Sequence, residues 1–395
     1  MNFDYTDDQK ALKDEARKFL MGVAPLSVVR GVLENPQSGH DPALWARIGE
    51  QGWCGAAIPE SYGGLGFGYV ELCALAEELG RAVAPVPFAS SVYLFAEAVL
   101  LAGSEAQKAA LLPQVATGEL VGTMAVTEGP GPLLPERLAA RVRGSALGGA
   151  LTGVNLPVTD GLVATRAVVL AQGEAGPGLY LVDLTGPGVT REGVATIDPT
   201  RGAAKISFDN APVEPLGDGG DALAQLARIQ DRAAILIAFE QLGGADRALE
   251  MARDYALERY AFGRPIGSYQ AIKHKLADVF VKNQVARANA YYGAWALSSD
   301  APELPLAAAA ARVAASAAYW LASKENIQTH GGIGFTWEAD CHFFYRRARH
   351  LALVLGAPRD WKRRLADRLE QRLNAELAEA PERVKGPELV QGNAA

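Results

Sequence analysis

Two short segments of this chain combine residue types that can hold phosphate groups. Residues 258–267 read ERYAFGRPIG and place the Arg259 guanidinium beside the aromatic ring of Phe262. Residues 328–338 read QTHGGIGFTWE and bring the amide of Gln328 together with a glycine backbone that a ligand can approach closely. A fixed guanidinium and open backbone N–H groups are common means of binding phosphates. The two segments therefore predict a site for a dinucleotide.

Each segment also has a purely structural interpretation. Arg259 stands at the predicted end of a helix that begins near Ala222, where a cation can complement the negative pole of the helix. The glycines after Gln328 can simply stop a helix, since glycine is the usual residue just past a helix end. The residue types alone leave both interpretations open.

Composition excludes several classes of function. The net charge is −7 and the basic residues are dispersed, which argues against nucleic-acid binding. Cys54, Cys73 and Cys341 form no CxxC pair and have no histidine at metal-binding spacing, so we expect reduced, mostly buried thiols and no metal site. The acidic N-terminus does not resemble a signal peptide, and no apolar run approaches the roughly 20 residues of a membrane span. These features predict a cytoplasmic protein.

Changes in composition and in hydrophobic periodicity divide the chain into four regions. The 395 residues exceed the size of one ordinary hydrophobic core, so more than one domain is expected. The predicted regions are an all-helical domain, a small β-domain, a packed helix bundle and a mobile polar tail. Their predicted bounds are 1–120, 121–217, 218–380 and 381–395.

Local signals predict particular elements within these regions. Thr6 can cap the first helix, and residues 58–66 form a turn-rich connector that cannot be helical. Short apolar runs bounded by Gly and Pro predict strands. These runs cover residues 162–171, 178–184 and 205–208.

Residues 258–267 and 328–338 resemble the cofactor-binding motifs of the acyl-CoA dehydrogenase family. The resemblance extends along nearly the whole chain. The resemblance implies that family's fold, with an N-terminal helical domain, a central β-domain and a C-terminal four-helix bundle that packs into dimers and tetramers. It also implies FAD as the cofactor, held largely from across a subunit interface, and gives His330 a structural role. The residues that match the family's FAD-binding positions in these segments are Arg259, Phe262, Tyr269, Gln270, Gln328, Gly331 and Gly332.

The central region matches the family only in part. By the resemblance, Thr127 in residues 124–128 (MAVTE) hydrogen-bonds to the flavin ring, and Thr159 lies toward the flavin N5 edge. Leu133 occupies the position of a serine that binds phosphate in the family, and the neighbouring Pro130 and Pro132 lack N–H donors. Pro157 replaces the aromatic residue that covers the flavin. The chain therefore keeps the two threonines of the family's flavin pocket but lacks its phosphate-binding serine and its aromatic residue.

The family's catalytic base is missing from both of its known positions. By the resemblance, the glutamate that removes the α-proton falls at Leu355, and the alternative position on the long helix falls at Ala233. Glu240, on the same helix and flanked by apolar residues, is the candidate base, since a carboxyl group in such surroundings can have a raised pKa. It can equally pair with Arg247 or cap a neighbouring helix. Weaker candidates are Asp231 and Glu338.

The resemblance supports three hypotheses about function. In the first, the chain is a self-sufficient homotetrameric acyl-CoA dehydrogenase that forms a 2,3-enoyl-CoA and passes electrons to an electron-transfer flavoprotein. In the second, it is a catalytically incomplete subunit of an α2β2 complex with a homologous subunit, acting on a bulky acyl-CoA such as a steroid-derived one. In the third, it is a non-catalytic scaffold of the same fold. The sequence does not specify the acyl group.

Overall fold

The computed structural model describes residues 5–35, 39–129, 131, 133, 135–144 and 148–379, so the predicted tail at 381–395 lies outside the described residues. The first part of the chain is helical. Its helices are α1 (Asp7–Val23), α2 (Leu26–Glu34), α3 (Pro42–Glu50), α4 (Tyr69–Arg81), α5 (Glu97–Ala102) and α6 (Glu105–Ala116).

The helix starts follow from side-chain capping. The Thr6 hydroxyl accepts from the backbone N–H of Gln9, and the Gln9 side chain accepts from the N–H of Thr6, which completes a capping box. Ser104 and Gln107 repeat this arrangement at the start of α6. The segment that leads directly into α5, Ala89–Ala96, is π-helical. The connector at 58–66 contains one 3-10 turn, Glu60–Tyr62, which the sequence prediction excluded.

The middle of the chain forms one mixed sheet. Its strands are β1 (Gly122–Ala125), β2 (Arg141–Arg143), β3 (Gly149–Thr159), β4 (Arg166–Gly173), β5 (Gly176–Asp183), β6 (Val189–Val194) and β7 (Ala203–Pro215). The pairings β4–β5, β5–β7, β7–β3, β3–β2 and β2–β4 close on themselves, so these strands form a small barrel. Strand β1 adds to β4 in parallel, and β6 adds to β7.

The last part of the described chain is a helix bundle. It contains α7 (Ala222–Glu258), a hairpin of β8 (Tyr260–Ala261) and β9 (Arg264–Pro265), and then α8 (Gln270–Ser298), α9 (Leu304–His330), α10 (Cys341–Leu353) and α11 (Pro358–Glu379). One helical segment, Leu304–Phe335, is long and apolar enough by length and composition to span a membrane. In the structure it is a core helix of the bundle, packed against α7, α8, α10 and α11.

Helices α4 and α7 join the N-terminal helices to the bundle through direct backbone contact. A Cβ atom at Gly80 would collide with the carbonyl of Glu240, and one at Gly243 would collide with the carbonyl of Glu77. Glycine at both positions lets the helix axes approach closely. The order of helices, β-barrel and helix bundle confirms the expected fold. The three cysteines are buried and free, as predicted.

Candidate functional site

The hairpin that follows α7 presents the first candidate segment to the surface. Helix α7 ends at Glu258, and the N–H of Arg259 caps it by donating to the Tyr255 carbonyl at 2.8 Å. Phe262 and Gly263 form the tip of the hairpin with φ values of 53° and 79°. A positive φ is unusual for phenylalanine and often marks a functional position. The Phe262 side chain is 97% exposed, so the hairpin holds an aromatic ring out into solvent.

The polar side chains beside this hairpin remain available to a ligand. Arg259 and Gln270 are both exposed, and neither side chain has a hydrogen bond or ion pair within the described residues. Tyr269 differs, because its hydroxyl donates to the Ala261 carbonyl at 3.0 Å and Arg264 stacks on its ring at 4.0 Å. Arg259 and Gln270 are therefore free to bind an anion, whereas the Tyr269 hydroxyl stabilises the hairpin.

The second candidate segment follows the last turn of α9. Gln328 is exposed, and a 3-10 turn, Gly331–Phe335, begins immediately after the helix. A Cβ atom at Gly331 or Gly332 would meet no atom of the described chain, so this backbone is open to a ligand. The His330 Nδ1 lies 2.8 Å from the Asn326 carbonyl, and the ring stacks on Tyr255. This geometry confirms the structural role expected for His330.

An arginine from the N-terminal helices fixes the end of this second segment. Arg30, on α2, donates to the carbonyls of Trp337 at 2.9 Å and Glu338 at 3.3 Å, and it pairs with Asp340 at 2.5 Å. Its guanidinium also lies over the ring of Phe343. Sequence reasoning missed Arg30, because no local pattern links α2 to a segment some 300 residues later.

Thr127 lies just after β1, and Thr159 is the last residue of β3. The Leu156 N–H donates to the Thr127 carbonyl at 2.8 Å, and the Thr127 hydroxyl donates to the Pro157 carbonyl at 3.1 Å. The Thr159 carbonyl accepts from Thr123 at 2.7 Å. The structure therefore brings Thr127 and Thr159 to one part of the barrel, apart in sequence from the two segments on the bundle.

The loop after β1 contains a carboxylate that binds backbone N–H groups, which a phosphate-binding loop would need to leave free. Glu128 accepts from the backbone N–H groups of Ala139 and Ala140, both at 2.7 Å. Leu133 packs against the hydrophobic core. Pro130 and Pro132 lie outside the described residues. A carboxylate that already occupies two backbone donors disfavours a phosphate at the same place.

Both family positions for the base are part of the packed interior. Ala233 is completely buried on α7, and Leu355 is 7% exposed in the loop between α10 and α11. The Leu355 carbonyl accepts from the indole N–H of Trp361 at 3.0 Å. An alanine and a leucine in these surroundings cannot take a proton.

Glu240 lies in a buried cluster of charges that joins all three parts of the molecule. Its Oε1 is 3.4 Å from Arg201 and 3.5 Å from Arg347. Arg201 also pairs with Asp160, and Arg347 pairs with Asp198 at 2.6 Å. Burial opposes ionisation of Asp198, but the charge of Arg347 and the hydrogen bonds from Thr200 and Arg347, together with other neighbours, hold the pKa of Asp198 below its usual value. This geometry favours the ion-pair interpretation of Glu240 over the catalytic one.

The partner predicted for Glu240 was wrong. Arg247 pairs instead with Glu250 at 3.4 Å, because it lies farther along α7 and half-exposed. The two arginines that do bind Glu240 come from the β6–β7 loop and from α10, which sequence spacing cannot connect to α7.

The two weaker candidate bases occupy different surroundings. Burial raises the pKa of Asp231 to about 6, although Arg368 on α11 pairs with it at 2.8 Å. Glu338 is exposed, and its carbonyl is held by Arg30. Asp231 therefore has the pKa of a base, but it is engaged with the last helix.

Domain order and site chemistry together define the class of protein. A helical domain, a β-barrel and a helix bundle that carries exposed phosphate-binding groups form the architecture of flavin-dependent acyl-CoA oxidoreductases. Family models agree: "Acyl-CoA dehydrogenase, N-terminal domain" matches residues 6–119, and "Acyl-CoA dehydrogenase, C-terminal domain" matches residues 224–368. The chain belongs to the acyl-CoA dehydrogenase family, whose members are oxidoreductases acting on CH–CH bonds.

Individual relatives support this membership. Acyl-CoA dehydrogenase IpdE2 of Mycobacterium tuberculosis (strain ATCC 25618 / H37Rv) is 34% identical over 361 residues, which cover 91% of this chain and 96% of the relative. A solved variant of the Tcur3481-Tcur3483 steroid ACAD superposes with a TM-score of 0.85 at 31% identity, covering 93% of this chain and 99% of the other. A chain of the ChsE4-ChsE5 complex from Mycobacterium tuberculosis superposes with a TM-score of 0.83 at 27% identity. The match covers 96% of this chain and 100% of the other.

FAD is the cofactor of the family, and one half of its site fits this chain. The exposed Arg259, the free amides of Gln270 and Gln328 and the open backbone at Gly331 and Gly332 suit a pyrophosphate and its nucleotide. The loop after β1 does not suit phosphate, because the Glu128 carboxylate occupies its donors. The chain is therefore equipped to hold FAD from the bundle side and poorly equipped on the barrel side.

Proposed function

We propose that this chain is the supporting subunit of a heteromeric acyl-CoA dehydrogenase, in which it helps to hold the FAD of a homologous catalytic partner. One contrast carries the proposal. Arg259, Gln270 and Gln328 on the bundle side are exposed, and their side chains have no partner among the described residues, whereas both positions of the family's base are apolar and buried. A subunit with this contrast can bind a shared cofactor without catalysing proton removal itself.

The chain's own residues would act on binding rather than on chemistry. When bound, FAD accepts the hydride that leaves the β-carbon of the acyl group. Arg259 would compensate the charge of the pyrophosphate, and the amides of Gln270 and Gln328 would donate hydrogen bonds to polar groups of the cofactor. Phe262 would cover the cofactor with an aromatic ring. The base that takes the α-proton would belong to the partner.

The bundle has a surface suited to such a partner. Helix α8 exposes Phe280, Val281 and Val285, each more than half exposed, on an element that is already part of the bundle. Exposed apolar side chains in a stripe of this kind mark protein interaction sites. In the proposed α2β2 arrangement of this chain with a homologous subunit, that stripe would lie in an interface.

The substrate class is proposed from the relatives. One solved relative is described as a steroid ACAD, and another is a two-component complex. We extend both properties to this chain, so the complex would act on a bulky, steroid-derived acyl-CoA and pass its electrons to an electron-transfer flavoprotein.

The test is to co-express the homologous subunit with wild-type chain or with the Arg259→Gln variant. Loss of the charge-assisted bond to the pyrophosphate should weaken FAD binding by about 10- to 100-fold. Arg253→Gln removes an exposed arginine that already pairs with Asp254 on the same helix and should leave FAD affinity unchanged. FAD affinity is measured by flavin fluorescence. The reduction of the bound flavin by a steroid-derived acyl-CoA is then measured under anaerobic conditions.

Two results would contradict the proposal. If the chain purified alone binds FAD fully and an acyl-CoA reduces that FAD, the chain is a self-sufficient dehydrogenase. If the complex forms and Arg259→Gln binds FAD as tightly as wild type, the chain is a scaffold that does not contact the cofactor.

A further inference from the structure

A cavity between helices α9, α10 and α11 lies outside the site described above. Its volume is about 260 Å³. Trp320 and Trp361 form two of its walls, together with the small side chains of Ala348 and Ala352. Apolar walls of this kind favour an apolar occupant.

A buried arginine forms part of this cavity. Arg312 is 1% exposed, and its Nη1 donates to the Gln241 side chain at 2.9 Å, while its Nη2 donates to the Leu351 carbonyl. Both acceptors are neutral. Its Nε–H is buried and has no acceptor within the described residues.

The charge of Arg312 has no counter-ion in the part of the chain that the structure describes. Glu240 lies beyond ion-pair distance and is already shared by Arg201 and Arg347. Burial lowers the pKa of Arg312 to about 9, against the weaker attraction of the more distant Glu240. A buried cation normally has an anionic partner, because desolvation is costly.

Two more cations stand at the edge of the same cavity. Arg349 and Lys362 both line it and are exposed to solvent, and the Arg349 guanidinium lies over the Trp320 ring at 4.7 Å. No carboxylate is among the described residues that line the cavity. The cavity is therefore apolar in its walls and positively charged at its base and its mouth.

We propose that this cavity binds an apolar monocarboxylic acid, whose carboxylate accepts from the Nε–H of Arg312 and whose hydrocarbon part packs between Trp320 and Trp361. A cavity of about 150 Å³ holds a benzene molecule, so this volume suits a molecule of about ten heavy atoms. A charged oxygen on the orphaned Nε would complete the hydrogen bonding of Arg312 and neutralise its charge. The site is independent of the flavin, since none of the proposed FAD residues lines it.

The probe is octanoate, a carboxylic acid of this size, titrated calorimetrically into the full chain in its native assembly. Octanoate should bind saturably, and 1-octanol, which has a similar shape and no charge, should bind at least about tenfold more weakly. Arg312→Met removes the cation but keeps an apolar chain, and it should abolish this binding. Arg312→Lys keeps the charge without the Nε donor and should weaken binding less.

Two further variants separate binding at this cavity from other effects. Ala317→Leu narrows the exposed rim without changing any charge and should weaken octanoate binding several-fold, even if Arg312→Met fails to fold. Arg363→Gln removes an exposed arginine on α11 that does not line the cavity and should leave octanoate binding unchanged. The proposal is overturned if octanoate does not bind, or if folded Arg312→Met or Ala317→Leu binds it as tightly as wild type.

Discussion

Glu240 shows how strongly surroundings decide the role of a carboxylate. It is buried on α7, between arginines from two other elements. We therefore expect Glu240→Gln to destabilise the fold by about 3–5 kcal/mol, because the variant leaves two buried arginines short of negative charge. The thermal unfolding midpoint of the variant measures this loss.

A kinetic comparison separates the structural role of Glu240 from a catalytic one. In the heteromeric complex, the rate of flavin reduction per folded enzyme should be nearly unchanged by Glu240→Gln. Glu250→Gln, which changes a more exposed ion pair on the same helix, serves as the control and should cost little stability. A large fall in reduction rate with an unchanged midpoint would identify Glu240 as the base.

Asp231 gives the protein a specific dependence of stability on pH. Its pKa rises from 3.8 in the unfolded chain to about 6 in the folded protein, because burial outweighs the attraction of Arg368. The folded state therefore binds the proton more tightly, so the stability that this group contributes is complete below about pH 4 and is lost as the pH rises through 6. Asp231→Asn should gain stability relative to wild type by about 3 kcal/mol between about pH 4 and pH 7.

Chemical unfolding at several pH values tests this expectation. Asp254→Asn provides the matched control, because it neutralises a half-exposed aspartate on the same helix that pairs with Arg253. A difference for Asp231→Asn that stays constant across the same pH range would show that Asp231 titrates normally.

The residues proposed to bind FAD carry a signal in the sequence, whereas the charge cluster around Glu240 does not. Arg259, Phe262 and Gln270 lie close together along the chain, so their spacing carries the signal. The partners of Glu240 are Arg201 and Arg347, which come from distant elements, and only the packing of α7 against the barrel and α10 reveals them.

At the scale of elements, the close contact of α4 and α7 positions the bundle against the N-terminal helices. Gly243→Ala should destabilise the protein by about 1–3 kcal/mol, because the new methyl group would collide with the Glu77 carbonyl and force the helices apart. Gly31→Ala, on α2, meets no atom of the described chain and should instead stabilise by up to about 1 kcal/mol. Thermal unfolding of both variants gives the comparison, and equal effects would contradict it.

The contact of α2 with residues 337–340 would link the N-terminal helices to the proposed FAD site. Arg30→Gln should release the carbonyls of Trp337 and Glu338 and weaken FAD binding by the complex several-fold, with a small change in thermal stability. Arg30→Lys keeps the charge and should lose less affinity. Unchanged FAD affinity in both variants would show that the segment holds its shape without Arg30.

Capping signals predict where helices begin, but not every element. Thr6 and Ser104 mark the starts of α1 and α6 through local hydrogen bonds. The π-helical segment Ala89–Ala96 and the closure of the barrel depend on contacts between distant residues. Sequence patterns therefore predict the helical regions and the strands β4, β5 and β7, whereas the other strands, the irregular segment and the sheet order require the structure.

At the scale of the whole molecule, the helix bundle and the β-barrel differ in how well they match the family's cofactor site. The bundle exposes the groups that we propose bind FAD, whereas on the barrel side the Glu128 carboxylate occupies backbone donors and both base positions are apolar and buried. The resemblance of the sequence to its family predicts the fold and this difference.

The most direct test is the flavin-to-protein ratio, with native mass, of this chain purified alone and of its complex with the homologous subunit. The supporting role predicts little flavin on the chain alone and a mixed tetramer with FAD in about half of its subunits. Full flavin loading of a tetramer made only of this chain would contradict that role and identify a self-sufficient acyl-CoA dehydrogenase.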